Sequence, residues 1–177
     1  YTVPTGLTAT YGQTLANVVL PEGFAWVDSS LSVGNVGANT FTAIFTPTDT
    51  DNYNVVEVQI VVTVSKAQAG ISQAPIANDL IYAESAQALV TAGTANGGTL
   101  LYALQENGAY SDAIPTGTNA DNYTVWYYVE GDANHNDSAK ASVNVTIAKA
   151  TPTSYVISCS LYPFPSAPAL GLSGLCP

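Results

Sequence analysis

The chain has no arginine, no methionine and little charge of either sign. Its 177 residues carry three lysines against 13 acidic residues, and charged residues make up only 9%. Phosphate backbones are neutralised by clustered Lys and Arg, so this composition argues against nucleic acid as a partner. An anionic membrane surface is disfavoured for the same reason. No run approaches the roughly 20 apolar residues of a membrane span, so no membrane insertion is expected.

Histidine and cysteine are also scarce, which limits metal and redox chemistry. The only histidine, His135, lies in an Asn-rich loop without a second metal ligand, so we expect a solvated loop residue. The two cysteines, Cys159 and Cys176, both fall in the tail. Their spacing permits a disulfide in an oxidising exterior, and free thiols are the alternative. The glutamates are scattered singly, so no carboxylate pair of a glycosidase is predicted and the chain is not expected to be an enzyme.

Hydrophobic residues make up 47% of the chain, and many of them are β-formers. From residue 56 to residue 64 every second position is Val or Ile, with mostly polar residues between them. This alternation is typical of a strand with one buried face. Segments that contain Pro or Gly separate several such runs, and no segment has a helical period. The sequence therefore predicts an all-β fold built from antiparallel β-sandwiches.

One segment of the chain occurs twice. The letters VTVSKA at residues 62–67 return as VTIAKA at residues 145–150, an offset of 83 residues. A repeat of this length is one small domain rather than one turn of a solenoid. We therefore predict two tandem modules, at residues 1–66 and 67–149. Residues 150–177 are then an irregular Pro/Leu-rich tail or a truncated third repeat.

The two predicted modules can be aligned strand by strand. Tyr82 takes the place of Tyr11, and residues 100–102 take the place of residues 23–26. On the next strand Tyr123, Val125, Tyr127 and Val129 stand for Phe41, Ala43 and Phe45, with one residue inserted after them. The link at residues 65–68 is short and has no Pro or Gly, so few dihedral angles are free to change. An elongated, semi-rigid pair of modules is expected.

Several motifs of the first module resemble a known family. They are TYGQTL at 10–15, LPEGFAW at 20–26, VGNVG at 33–37 and FTPTDTDNY at 45–53. These segments look like MBG and Big-type bacterial immunoglobulin-like repeats, which stand in tandem in large surface proteins of Gram-positive bacteria. The resemblance covers residues 1–150 and implies Ig-like sandwiches at the extracellular cell surface, with no catalytic residues. The tail has no LPxTG-like sorting signal, so cell-wall attachment is inferred only for the parent protein.

Trp126 and Tyr128 are the best candidates for a ligand site. Alternation sends Tyr123, Val125 and Tyr127 inward, so Trp126 and Tyr128 face outward on one sheet. Exposed aromatic pairs bind sugar rings, and an exposed apolar patch often marks an interaction site. The alternatives are that they pack against an adjoining module or strand, or that the strand register is displaced by one residue.

A second candidate site is the loop from Asp132 to Asp137. Its oxygen-bearing side chains alternate along the loop, and hard cations such as calcium bind several such oxygens. The candidate calcium ligands are Asp132, Asn134, Asn136 and Asp137. The alternative is an Asx-turn loop that closes a hairpin and binds no cofactor. Residues 49–52 form the counterpart in the first module.

Tandem modules without a reactive cluster indicate a structural role. We expect stalk or spacer repeats of an adhesin-like bacterial surface protein, with neighbouring repeats of the same chain as partners. The alternative is adhesive modules that bind host glycans or mucin through exposed aromatics. Lys66 and Lys149, which close their modules, are expected to be solvated linker lysines rather than isopeptide cross-links.

Overall fold

The computed structural model describes residues 1–152, and within them the fold is all-β, as predicted. Cys159 and Cys176, and with them the predicted disulfide, lie outside the described residues. The first module contains strands β1 (Leu7–Thr10), β2 (Phe24–Trp26), β3 (Gly37–Phe45) and β4 (Val56–Ser65). A single 3-10 turn, Leu15–Asn17, is the only helical segment of residues 1–152.

The second module has two long strands among many short ones. Its strands are β5 (Ala67–Gln68), β6 (Gly70–Gln73), β7 (Ile76–Ala77), β8 (Leu80–Ile81), β9 (Gln87–Ala88), β10 (Val90–Thr91), β11 (Thr94–Asn96), β12 (Gly98–Ala103), β13 (Thr116–Gly117), β14 (Asn122–Gly131), β15 (His135–Asn136) and β16 (Ala141–Ala148). The short strands form the two-stranded sheets β6–β11, β7–β10 and β9–β13. These lie opposite the main sheet and complete a sandwich.

Each module buries one face of a four-stranded sheet. In the first module the Val/Ile face of β4 is buried, and the 3-10 turn and Val33 cover it in place of a second regular sheet. In the second module Val125, Tyr127 and Val129 of β14 share a buried cluster with Val90 of β10 and with Leu89, which lies between β9 and β10. The predicted inward faces of both long strands are therefore confirmed.

The two main sheets have the same strand order. In the first module the order is β1-β4-β3-β2, and in the second it is β8-β16-β14-β12. In both, the edge strand named first lies parallel to the strand that closes the module, through Leu7–Thr10 beside Val62–Ser65 and Leu80–Ile81 beside Ile147–Ala148. The other pairings of the two main sheets are antiparallel, as predicted for these sandwiches, and this edge pairing differs from them. A long connection separates the paired strands, which is what a parallel pairing requires.

The strand register corrects one part of the repeat alignment. Tyr123 pairs with Val145, whose counterpart in the first module is Val62. Val62 pairs with Asn39, so Tyr123 corresponds to Asn39 and not to Phe41. The sequence alignment was therefore displaced by two residues along this strand. Because side chains alternate with a period of two, such a displacement leaves the prediction of inward and outward faces unchanged.

Candidate functional site

A polar loop lies at the boundary between the modules, residues 132–137, which we call the junction loop. Asp132 stabilises the turn of this loop, because its Oδ1 accepts a hydrogen bond from the backbone N–H of Asn134 at 2.8 Å. Asp137 Oδ1 accepts from the Gly131 N–H at 2.9 Å. A Cβ at Gly131 would meet the backbone of His135 and Asn136, so this tight return requires glycine.

Backbone hydrogen bonds join this loop to the link between the modules. Strand β15 of the loop runs parallel to β5 of the link. The Ala67 N–H donates to Asn134 O, and the Ala69 N–H donates to Asn136 O, each at 3.0 Å. Hydrogen bonds of this kind contribute about 1 kcal/mol each to stability. The link is therefore bound to the second module along its length.

Side chains extend the contact to the body of the first module. Lys66 Nζ donates to the backbone oxygens of Asp132 and His135, each at 3.1 Å. Asn134 Oδ1 accepts from the Val36 N–H at 3.0 Å, and its Nδ2 donates to Asn35 Oδ1 at 3.2 Å. Lys66 is thus a cross-module donor, and it remains solvent-exposed, as the sequence suggested.

His135 lies at the centre of this junction. Its ring makes an edge-on contact with Tyr11 of the first module, with centroids 5.2 Å apart, and Nδ1–H donates to Asp132 Oδ1 at 2.7 Å. The side chain is only 15% exposed. The expectation of a solvated loop residue is therefore wrong. The sequence signal was weak, because Tyr11 and His135 meet only through the folded junction.

The hydrogen bond from His135 lowers the pKa of the Asp132 carboxyl below its ordinary value, and the Asn134 N–H contributes further. A lowered folded-state pKa stabilises the fold above the pKa of the unfolded chain, and this contribution is lost as pH falls through the folded pKa. We expect acid to loosen the junction loop in that range. Carboxyl-carbon NMR titration should give Asp132 a midpoint below that of an ordinary aspartate, and a midpoint at or above it would contradict the assignment.

The predicted calcium ligands are drawn into this network. Oδ1 of Asp132, Asn134 and Asp137 each accepts a hydrogen bond from a backbone amide of the chain. The Asn136 side chain is at the exposed end of β15. Within residues 1–152 no group of three or more His, Cys, Asp or Glu side chains is placed to hold a metal ion. Calcium binding by these residues stays a prediction.

The outward aromatics of β14 divide into two environments. Trp126 and Tyr128 lie on the predicted outer face and are both half-buried. The rings of Tyr128 and Tyr110 pack edge to face, with their centroids 4.9 Å apart. Lys140 Nζ lies 5.1 Å from the centroid of the Tyr110 ring. These three residues line an open groove of ≈ 370 Å³, the aromatic groove, together with Asn107, Gly108, Asp137 and Ser138. Trp126 does not line it.

Both phenols of the aromatic groove stay protonated at neutral pH. Partial burial raises the pKa of Tyr110, and the negative charge of Glu106 adds to this. Burial likewise raises the pKa of Tyr128, with Glu130 adding to it. The Tyr110 hydroxyl donates to Glu106 O at 2.9 Å, so the groove offers a ligand the Tyr128 hydroxyl as donor beside two apolar rings. Sequence reasoning found Tyr128 but missed Tyr110 and Lys140, because neither lies on the same strand.

No helix of residues 1–152 is long and apolar enough to cross a membrane. No family model and no curated protein matches the chain. Among solved structures, the chain is similar to the fibronectin(III)-like modules of Clostridium thermocellum CbhA. The identity is 14% and the TM-score 0.33, over 82% of this chain and 90% of that chain. Similarity at this level carries no argument about function, and the resemblance to MBG and Big-type repeats stays a prediction.

Proposed function

We propose that the chain is a two-module spacer of a bacterial cell-surface protein. The observation that supports this most is the junction, where the link and the first module are both hydrogen bonded to the junction loop. Two modules fixed at such a contact keep a set distance and direction. The motifs at residues 10–53 resemble surface-protein repeats and support the extracellular location. No catalytic step is part of this role.

The chemistry of the junction suits such a spacer. A flexible link would let the modules collapse on each other, whereas a bound link transmits orientation from one module to the next. Lys66 fixes the link to two carbonyl oxygens, and the ring of His135 packs between Tyr11 and Gly97. Hydrogen bonds and ring packing together resist both bending and twisting of the pair.

Replacing Asn134 with alanine should loosen the junction without unfolding either module. The variant loses the acceptor for the Val36 N–H and the bond to Asn35. A loss of about 1 kcal/mol would raise the population of open junctions roughly fivefold. Small-angle X-ray scattering should fit one conformation for the wild type and a broader distribution for the variant. Asn136→Ala is the matched control, since its exposed side chain makes no hydrogen bond within residues 1–152. Equal profiles for all three proteins would contradict the role of Asn134.

The aromatic groove supports a second candidate function, the binding of glycans or mucin. The rings of Tyr110 and Tyr128 can stack on a sugar ring, and the Tyr128 hydroxyl and the remaining N–H groups of Lys140 can hydrogen bond its hydroxyls. Weak single contacts would add up over tandem modules through effective concentration. This function is compatible with a spacer, because the groove lies on the outer face of the second module.

Tyr128→Ala should weaken binding of mucin glycans about tenfold, which corresponds to about 1.4 kcal/mol. The substitution removes one wall of the groove and the edge contact with Tyr110. Trp126→Ala is the matched control, because Trp126 lies on the same face of the same strand but outside the groove. Titration calorimetry with released mucin oligosaccharides measures both. Greater loss from Trp126→Ala, or no binding by the wild type, would contradict this site.

A further inference from the structure

The second module carries, at its far end, a copy of the surface with which the first module contacts the junction loop. In the first module this surface is formed by Tyr11, Asn35, Val36 and Lys66, and Ala67 of the link adjoins it. The repeat offset of 83 residues places Lys149 and Ala150 at the positions of Lys66 and Ala67. The other positions follow from hydrogen bonds and strand register.

The tyrosines are equivalent because they make the same hydrogen bond. The Tyr11 N–H donates to Ser65 O at 2.9 Å, and the Tyr82 N–H donates to Ala148 O at 2.8 Å. In both modules the acceptor is the residue just before the closing lysine. Tyr82 therefore stands beside Lys149 as Tyr11 stands beside Lys66.

The strand register supplies the remaining pair. Since Tyr123 corresponds to Asn39, residues 35–36 correspond to Asn119 and Ala120. All the counterparts lie around one open cleft of ≈ 330 Å³, lined by Tyr82, Asn119, Ala120, Lys149 and Ala150. We call it the terminal cleft. In the first module the equivalent space is filled by the junction loop.

The start of the first module carries the counterpart of the junction loop. Residues 49–54, the Asp49 loop, lie in the connection between β3 and β4, as residues 132–137 lie in the connection between β14 and β16. Both loops begin with an aspartate that caps a turn: Asp49 Oδ1 accepts a hydrogen bond from the N–H of Asn52, three residues on, and Asp132 Oδ1 accepts one from the N–H of Asn134, two residues on. Asp49, Asp51 and Tyr53 of this loop are exposed. The loop presents negative charge, and the terminal cleft presents the ammonium of Lys149.

We propose that the terminal cleft is a docking site for the Asp49 loop of a second copy of this chain. Lys149 would donate to backbone oxygens of that loop, and Tyr82 would face its side chains, as Lys66 and Tyr11 do at the junction. The contact joins two different surfaces, so it is head-to-tail and continues from copy to copy. The inference rests on the proposed spacer function, because it extends the same junction beyond two modules.

The test is concentration dependence of the amide NMR spectrum of the full chain. At the junction the short link gives the two modules an effective concentration on the order of mM. The contact between separate copies, which has no such link, should therefore be followed at protein concentrations from about 0.05 mM to about 1 mM. We expect the amides of the terminal cleft and of the Asp49 loop to shift together with one dissociation constant. Salt near physiological strength screens the repulsion between copies that each carry a net charge of −10.

Lys149→Ala and Tyr82→Ala should each abolish both sets of shifts, while Lys140→Ala, which removes the same charge elsewhere, should leave them in place. Absence of concentration-dependent shifts at these amides would overturn the proposal. Shifts of the terminal cleft alone, without the Asp49 loop, would also overturn it and indicate another occupant. If the shifts are absent but the two modules keep a fixed orientation, only the docking proposal fails and the spacer function is unaffected. If the modules reorient independently, the spacer function itself is contradicted.

Discussion

Replacing Gly97 with alanine should destabilise the second module by about 2–5 kcal/mol and separate the modules. Gly97 has φ +79°, a left-handed conformation that a side chain disfavours. A Cβ at this position would also lie 2.5–2.8 Å from three atoms of the His135 ring. The ring would be displaced from Tyr11, so the substitution acts on the fold and on the junction together.

Gly70→Ala is the control for this prediction. Gly70 also lies in the second module, but its φ is not left-handed and no atom lies within 4 Å of an added Cβ. A change within about 0.5 kcal/mol is expected there. Chemical denaturation gives the two free energies of unfolding, and the ring-current shifts of Tyr11 report whether His135 has moved. Equal stability of the two variants, with Tyr11 unshifted, would contradict the position of His135 over Gly97.

Ile60→Ala should destabilise the first module by about 2–5 kcal/mol, because it leaves a cavity in a core that cannot fully collapse. Ile60 is completely buried in the middle of β4, among residues of the core cluster with Ala43 and Val58. The loss is a large fraction of the stability expected of a small domain. Thermal unfolding should show an earlier transition for the first module and an almost unchanged one for the second.

The neighbouring residue provides the matched control. Val61 is 49% exposed on the opposite face of the same strand, so Val61→Ala should change the free energy of unfolding by less than about 0.5 kcal/mol. A register displaced by one residue would exchange the two results, since it turns every side chain to the other face. A larger loss from Val61→Ala than from Ile60→Ala would therefore contradict the arrangement of β4.

The faces of the long strands could be predicted because they are encoded locally. In β4 and β14 the apolar residues alternate with a period of two, and one buried face is sufficient to produce that pattern. The parallel placement of β1 beside β4 could not be predicted in the same way. It joins residues more than fifty positions apart, and neither strand carries a local signal for its partner.

The contacts of the junction could not be predicted from the sequence, although several of the residues that form it were candidate site residues. The alternating side-chain oxygens of Asp132 and Asn134 predict calcium ligands, because a cation binds such oxygens. In the structure the same oxygens accept hydrogen bonds from backbone N–H groups. His135 was expected to be solvated because the ring that covers it, Tyr11, lies in the other module. Such contacts depend on the relative position of the two modules. The hydrophobic period within one module does not predict that position.

A spacer requires that the junction loop hold the two modules in one fixed orientation. Residual dipolar couplings of the backbone amides in a weakly aligned sample measure this orientation. We expect one alignment tensor to fit the amides of residues 7–65 and 80–148 together, in the relative orientation of the structure. Two tensors of different magnitude would show that the modules reorient independently, and would contradict a spacer fixed at Lys66, Asn134 and His135.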